Sequence, residues 1–180
     1  AIFEIFNQFR VLCAHRRGLS GVVALNHMIE GVLKDEHLVA SHDTWYAGRP
    51  IMIMRNDYNL KLFNGDVGIT LADPHAPEHL KVFFPGGDEG LRAFAPSRVP
   101  EHETVYAMTI HKSQGSEFSE VLMILPNEPS PIMSRELVYT GITRAMNRVE
   151  IWGNEAVFSD AVEHRLRRAS ALQERLWEQA

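Results

Sequence analysis

The sequence predicts an α/β fold, a parallel β-sheet with flanking helices that a small β-barrel interrupts. A buried strand followed by a helix opens the chain, and this pair is the repeating unit of a parallel sheet. From about residue 48 to residue 100 the pattern changes to short apolar runs separated by turn residues. After Val105 the alternation of strand and helix returns. The middle stretch is therefore predicted to be an insertion into one α/β domain.

The first unit is a strand over residues 9–14, followed by a helix for which Ser20 is a plausible N-cap. Cys13 is the one cysteine of the chain, and its place in the apolar strand predicts a buried core thiol. The helix is expected to pack through apolar residues that recur every three or four positions: Val22, Leu25, Ile29, Val32 and Leu33.

The insertion contains four short apolar runs, PIMIM, LKLF, VGITL and LKVFF. Asn64-Gly65 and Gly86-Gly87 are turn signals of the hairpin type, and Asn64, Gly65 and Asp66 are expected to form a turn. Strands of this length and spacing are typical of a small antiparallel barrel or sandwich.

The part after the insertion is expected to alternate strand and helix again. The predicted strands cover residues 105–110, 121–125 and 148–152, and the predicted helices cover about 134–147 and the chain from about Asn154 onward. The apolar face of the last helix consists of Phe158, Val162, Leu166, Ala169, Leu172 and Leu176. Its other face carries Arg165, Arg167, Arg168 and Arg175. A solvated surface is the favoured interpretation of these arginines, and contact with a partner or DNA is the alternative.

Composition narrows the possible functions. The 180 residues are 45% apolar and 23% charged, which is ordinary for one globular domain with a small insertion. The net charge of −5 argues against a broad basic surface for nucleic acid, but it allows contact with a few phosphates. The nine scattered histidines predict no metal site, and no apolar run is long enough to predict a membrane span. One cysteine and no signal peptide predict a cytoplasmic location.

The segment TIHKSQGSEF, residues 109–118, is the first candidate site. A strand runs out into a polar loop that contains Gly115, and this loop is expected at the carboxyl edge of the sheet, where open α/β sheets bind ligands. Short hydroxyls, a glycine and exposed backbone donors suit a nucleic-acid phosphate or a nucleotide sugar. The alternative is a structural loop that only turns the chain.

The segment ELVYTGITRA, residues 136–145, is the second candidate site. As a helix it has a packing side, on which Gly141 allows close approach to a neighbour, and a polar side that ends in Arg144. An arginine on a rigid helix can bind a phosphate with two N–H donors. A surface salt bridge is the alternative role for Arg144.

Together these segments resemble known motifs. TIHKSQGSEF looks like motif V of the superfamily 1 helicases, and VYTGITRA looks like their motif VI. The best match is the RecD-like branch, a 5′-to-3′ group that includes the α chain of exonuclease V. FRVLCAHRRGLSGVVALNHMIE is similar to the opening of the second motor domain in that branch, and GRPIMIMRNDYNLKLFNGDVGIT resembles the start of its SH3-like inserted barrel. The resemblance implies a RecA-like, P-loop NTPase-type second motor domain over residues 1–47 and 105–180, with the barrel over 48–104.

The resemblance also implies contacts with single-stranded DNA. Thr109 and His111 match positions that touch the DNA backbone, and Lys112, Ser113 and Gln114 would form the rest of that loop. Arg16 and Arg17 follow the first strand and are a weaker candidate for DNA contact, because an exposed pair of loop residues is an equally good interpretation.

The nucleotide contacts implied by the resemblance come from three residues. Gly115 and Glu117 match positions near the nucleotide, with Glu117 expected at the ribose. Arg144 matches the arginine finger that reaches the γ-phosphate, and Thr140 and Thr143 lie beside it. The side chain of Arg144 is therefore expected outside the hydrophobic core, facing the sheet edge that bears His111.

As a whole, the resemblance implies the C-terminal part of an ATP-dependent DNA helicase that acts in double-strand break repair and recombination. ATP and Mg²⁺ would be held mainly by an N-terminal motor domain, and RecB- and RecC-like subunits are possible further partners. Two other classes stay open. A non-catalytic nucleic-acid-binding module is favoured if no phosphate-loop domain precedes this segment in the gene. A scaffold subunit that docks through the barrel and the last helix is excluded by a pull-down that survives loss of both.

The isolated chain is expected to hydrolyse no ATP. It contains neither GxxxxGK[ST] nor an acidic strand end for Mg²⁺, and its glycine-rich pieces lie in predicted hairpins. It also begins without Met in mid-pattern, as a piece of a longer protein would. An ATPase assay on the isolated chain checks this expectation, and robust turnover would contradict it.

Overall fold

A computed structural model describes residues 1–39, 43–86 and 90–165. The described part contains four α-helices and nine β-strands. In chain order they are α1 Ile2–Phe6, β1 Phe9–Cys13, α2 Val22–Asp35, β2 Pro50–Ile53, β3 Val67–Asp73, β4 Ala76–Pro85, β5 Leu91–Phe94, β6 His102–Thr104, β7 Ala107–Thr109, β8 Phe118–Ile124, α3 Arg135–Ile142, β9 Ala145–Trp152 and α4 Glu155–Glu163. A short 3₁₀ turn, Pro96–Arg98, precedes β6.

The first sheet is parallel and has the strand order β7-β1-β8-β9. Side chains of β1 alternate between its two faces, as a strand buried on both sides requires. Cys13 packs with Val22 and Leu25 of α2 on one face. Leu12 packs with the cluster that includes Leu137 of α3 on the other, and α4 covers the same face. The predicted parallel sheet with flanking helices is confirmed.

The second sheet is antiparallel and has the order β5-β4-β3-β2-β6. Ile51 and Ile53 of β2 point into its own core with Leu62, Val82 and Phe84. Met52, between them, points the opposite way and joins the core of the parallel sheet. The inserted strands therefore pack directly on the α/β core. The SH3-like closure of this sheet and the domain boundaries stay predictions.

Two local predictions in the first half are wrong. Helix α2 begins at Val22, and its N-cap is Gly21 rather than Ser20. Glycine is needed there because a Cβ atom on Gly21 would lie 2.5 Å from the carbonyl oxygen of Arg17. The run LKLF is not a strand, because Leu62 forms only an isolated bridge with Asp57 and is buried in the core of the inserted sheet.

The helices of the second half are shorter than predicted. Helix α3 starts as expected at its N-cap Ser134, whose hydroxyl accepts a hydrogen bond from the amide of Leu137. It ends at Ile142, because Ala145 pairs with Phe118 and begins β9. Helix α4 ends at Glu163, and Arg165 is exposed. The remaining residues of the predicted last helix lie outside the described residues: Leu166, Arg167, Arg168, Ala169, Leu172, Arg175 and Leu176.

Cys13 is fully buried, and burial raises the pKa of its thiol to about 12. The predicted core thiol is confirmed, and at neutral pH it is not a nucleophile. No helix in the described ranges is long and apolar enough to cross a membrane.

Candidate nucleic-acid and nucleotide site

The loop of residues 110–117 runs from one edge of the parallel sheet to the other. At the carboxyl edge Thr109 pairs with Cys13, whose carbonyl oxygen accepts a hydrogen bond of 3.0 Å from the amide of Ile110. At the amino edge Phe118 pairs with Ala145. The strand register places Phe118 roughly six residues below Cys13, which is about 20 Å of strand. The expectation that the whole loop lies at the carboxyl edge is therefore wrong.

Hydrogen bonds within the loop fix its first turn. The amide of Lys112 donates to the hydroxyl of Thr109 at 3.3 Å, and the amide of Ser113 donates to the Thr109 carbonyl at 3.1 Å. The amide of Gln114 donates to the His111 carbonyl at 3.3 Å. These backbone donors are thus occupied, contrary to the expectation that they are exposed. Side chains, rather than these amides, are left to bind a ligand.

Ser113 and Gly115 shape the loop. Ser113 is fully buried, and its hydroxyl donates to the carbonyl of Ile110 at 2.8 Å. Gly115 has φ +87°, a left-handed conformation that favours glycine. Open space surrounds the position of its absent side chain. The turn of the loop toward the amino edge depends on this backbone conformation.

The upper half of the loop faces helix α3. His111 and Gln114 are exposed, and with Glu136 and Thr140 they line a cleft of about 320 Å³. On the other side of the loop the ammonium of Lys112 donates to the side-chain oxygen of Asn64, in the inserted sheet, at 2.6 Å. The upper half therefore lies between the helix and the insertion, with two polar side chains presented to solvent.

The lower half of the loop opens into a different cavity. Ser116 and Glu117 are exposed and line a space of about 370 Å³ at the amino edge of the sheet. Phe6 of α1 and Asp66 of the insertion line the same space. One loop therefore contributes side chains to two separate cavities, at opposite ends of the sheet.

Arg144 lies in the short connection between α3 and β9, not on the helix as predicted. Its Nε donates to the carbonyl of Thr140 at 3.2 Å, and its NH1 donates to the carbonyl of Ser116 at 2.9 Å. Its NH2 donates to the hydroxyl of Thr143 at 3.3 Å. These contacts use three of the five N–H donors of a guanidinium, and the side chain is only partly buried.

Arg144 is thus outside the hydrophobic core, as expected, but it faces the amino edge and the lower half of the loop. The expectation that it shares a sheet edge with His111 is wrong. The reason is the path of α3, which leaves the carboxyl edge near His111 and descends along the sheet before β9 begins. The loop of residues 110–117 nevertheless lies beside α3 at the cleft of His111 and contacts Arg144, after the end of α3, through Ser116.

Arg10 is a buried cation that the sequence prediction missed. It is 1% exposed and lines the lower cavity. Its NH1 donates to the carbonyl of Val105 at 2.9 Å, and its guanidinium lies 3.8 Å from the ring centre of Phe6 and 4.9 Å from that of Phe118. Burial lowers the pKa of Arg10 to about 10, so the group stays charged at neutral pH. Its place in an alternating strand, on the same face as Leu12, was the available signal.

Arg16 and Arg17, the weaker candidates for DNA contact, have different surroundings in the structure. Arg16 forms an ion pair with Glu103 of β6, across the boundary between the two sheets. Arg17 is exposed. Among the described residues, no group of three or more histidine, cysteine, aspartate or glutamate side chains is placed to hold a metal ion.

Comparison with known proteins gives three kinds of match. The family of the UvrD-like helicase C-terminal domain matches residues 104–151. The RecBCD enzyme subunit RecD of Mycolicibacterium smegmatis is 44% identical over 94% of this chain. The ATP-dependent RecD2 DNA helicase of Deinococcus radiodurans is 31% identical over 93% of it. The chain spans only 29% and 23% of the length of these two relatives.

A solved structure shows the same fold. The crystal structure of Bacteroides Pif1 bound to single-stranded DNA matches 96% of this chain and 46% of its own, with a TM-score of 0.54 and 17% identity. The fold is therefore that of Pif1, and residues 104–151 match the family of the UvrD-like helicase C-terminal domain. In sequence the chain is similar to RecD over nearly its whole length.

Proposed function

We propose that this chain is the second motor domain of an ATP-dependent DNA helicase that translocates 5′ to 3′ in double-strand break repair and recombination. The observation that carries the proposal is the loop of residues 110–117, which joins a cleft at His111 to the guanidinium of Arg144. The motor domain comprises residues 1–47 and 105–180, and residues 48–104 form the inserted barrel. The two separate sheets support this division.

The upper half of the loop holds single-stranded DNA in this proposal. Thr109, His111, Lys112, Ser113 and Gln114 form the DNA-binding turn, and the exposed side chains of His111 and Gln114 and the ammonium of Lys112 are suited to the phosphodiester backbone. Ser113 does not contact the DNA itself; its buried hydroxyl stabilises the conformation of the turn by its hydrogen bond to the carbonyl of Ile110. These contacts are few, which agrees with the net charge of −5.

The lower half of the loop and Arg144 face the nucleotide. Glu117 is exposed where a ribose hydroxyl could donate to it, and Gly115 keeps the approach open. Arg144 is held by three oxygen atoms and retains donors for the γ-phosphate, where its charge stabilises the transition state. These residues fit one side of a nucleotide. The phosphate loop and the carboxylate for Mg²⁺ are assigned to the N-terminal motor domain, because the sequence contains neither.

The bond from Arg144 to Ser116 suggests how the two ligands are coupled. A guanidinium drawn toward a phosphate would release the carbonyl of Ser116, which belongs to the same loop as His111 and Lys112. A change at the nucleotide edge would thereby be transmitted to the DNA edge through the loop residues between Ser116 and Lys112. The bound ATP supplies the free energy, and the two states differ in affinity for DNA.

The proposed function also implies a parent protein and partner subunits. The proposed parent is a RecD-type protein, that is, an exonuclease V α subunit, and RecB- and RecC-like subunits are its proposed partners. RecD in the relatives is named as a subunit of the RecBCD enzyme. A cytoplasmic location stays a prediction.

Lys112→Ala tests the DNA-binding role of the loop. In the full-length protein the substitution is expected to weaken binding to oligo-dT and to reduce the slope of log affinity against log salt by about 0.7, the value for one phosphate contact on a single strand. Fluorescence anisotropy over a salt series measures both quantities. Lys81→Ala is the matched control, because the ammonium of Lys81 is already paired with Asp73 at 2.7 Å. An unchanged slope for Lys112→Ala would contradict the assignment.

A further inference from the structure

The inserted sheet carries two exposed aromatic side chains that are not part of its hydrophobic core. Tyr58 is 76% exposed and Phe63 is 43% exposed. Their ring centres lie 6.0 Å apart, with the rings nearly perpendicular. Isolated apolar residues on a surface are common, whereas two exposed aromatic rings in contact offer π-faces on which a planar ligand can stack.

The segment that carries the pair is held rigidly. The carboxylate of Asp57 accepts hydrogen bonds of 3.0 Å from the amides of Asn59 and Leu60. Leu62 is fully buried and anchors the other end of the segment. The guanidinium of Arg92 donates to the carbonyl of Lys61 at 2.8 Å. The aromatic rings are therefore presented on a preformed turn, so that little ordering is needed on binding.

The segment around the pair carries two cations and two carboxylates. Arg55 and Lys61 are exposed within the same segment. The carboxylates of Asp57 and Asp66 are engaged by backbone amides of the turn, Asp66 accepting from Phe63 at 2.8 Å. The two cations are exposed whereas the carboxylates are turned to the backbone, and exposed cations beside aromatic rings suit single-stranded nucleic acid.

The pair is also continuous with the loop proposed to bind DNA. Phe63 is followed by Asn64, whose side-chain oxygen accepts the hydrogen bond from Lys112. The amide of Asn64 is in turn held by the side chain of Asn56 at 2.8 Å. Lys112 therefore lies next to the segment that carries the aromatic pair.

We propose that Tyr58 and Phe63 form a stacking platform for the bases of single-stranded DNA that is bound at Lys112. The proposal rests on the proposed function, since it extends that DNA path onto the insertion. Every base has a π-face on which an aromatic ring can stack, so this platform raises the affinity for single-stranded DNA without sequence preference. It gives the insertion a direct part in holding the strand.

Tyr58→Ala in the full-length protein tests the platform. The probes are oligo-dT and an oligomer of the same length in which every nucleotide is abasic, which keeps the phosphates and removes the bases. We expect the substitution to weaken binding to oligo-dT by roughly 5- to 100-fold, the range for one stacked base, and to leave binding to the abasic oligomer unchanged. Tyr58→Phe is expected to retain wild-type binding, because the ring is kept. Leu91→Ala, which changes an exposed apolar residue of the same sheet, is the control.

The outcomes separate the two proposals. Equal loss on both oligomers, or no loss on either, overturns the platform. A loss of partner-domain association without loss of DNA binding also overturns it, and would assign the rings to a protein contact. If Lys112→Ala leaves the salt dependence unchanged while Tyr58→Ala behaves as expected, the loop assignment fails and the platform stands.

Discussion

Arg144→Ala in the full-length protein is expected to lower the kcat of DNA-stimulated ATP hydrolysis by about 10³-fold or more, while the affinity for single-stranded DNA changes little. The reason is geometric. The guanidinium lies at the amino edge of the sheet, where Phe118 pairs with Ala145, whereas His111 follows the carboxyl end of β7. A steady-state ATPase assay and an anisotropy titration measure the two effects.

Two further variants sharpen this prediction. Arg148→Ala is the matched control, because Arg148 lies on the same strand β9 and its exposed guanidinium pairs with Glu150 at 3.0 Å. Arg144→Lys is expected to recover little activity, since an ammonium keeps the charge but loses the planar set of donors that now binds Thr140, Ser116 and Thr143. Equal loss of ATPase activity and DNA binding in Arg144→Ala would contradict the separation of the two edges.

Arg10→Ala is expected to lower the free energy of unfolding of the chain by about 3 kcal/mol. Removing the side chain leaves the carbonyl of Val105 without its donor and opens a cavity against Phe6 and Phe118. Each of these losses typically costs about 1–3 kcal/mol, and relief of the desolvation that lowers the pKa of Arg10 offsets part of their sum, so about 3 kcal/mol is expected. Urea denaturation followed by circular dichroism measures the change.

Arg10→Met separates the two causes. Methionine fills much of the space but donates no hydrogen bond, so its cost is expected to be about half that of alanine. A change within about 0.5 kcal/mol for Arg10→Ala would show that the buried cation contributes no net stability. Equal costs for alanine and methionine would show that packing against Phe6 is not part of its role.

The parallel sheet could be predicted because its strands are continuous apolar runs. The insertion could be predicted because short apolar runs separated by turn residues replace the alternation of strand and helix. The position of Arg144 could not be predicted. Thr143, Arg144 and Ala145 continue the amphipathic pattern of α3, and only pairing of Ala145 with Phe118 ends the helix. That pairing joins residues far apart in the sequence, and no local pattern encodes it.

Burial was equally hard to predict for two polar residues. Arg10 is buried because Phe6 and Phe118 cover its guanidinium, and the second of these belongs to a different strand. Ser113 was predicted to touch DNA from its place in a polar motif, yet its hydroxyl bonds to Ile110 within the loop. A motif shows which residues form a loop, whereas their orientation depends on the hydrogen bonds that close it.

The proposed function requires that Arg144 reaches across to a nucleotide that another domain holds. The most direct test compares the affinity of the full-length protein for ADP with aluminium fluoride, a mimic of the transferring phosphoryl group, with its affinity for ADP alone. Arg144→Ala is predicted to weaken the first by about 100-fold or more and to leave the second within about twofold, because the guanidinium stabilises charge that develops only in the transition state. Loss of both affinities to the same extent, or of neither, would contradict the proposed role of Arg144.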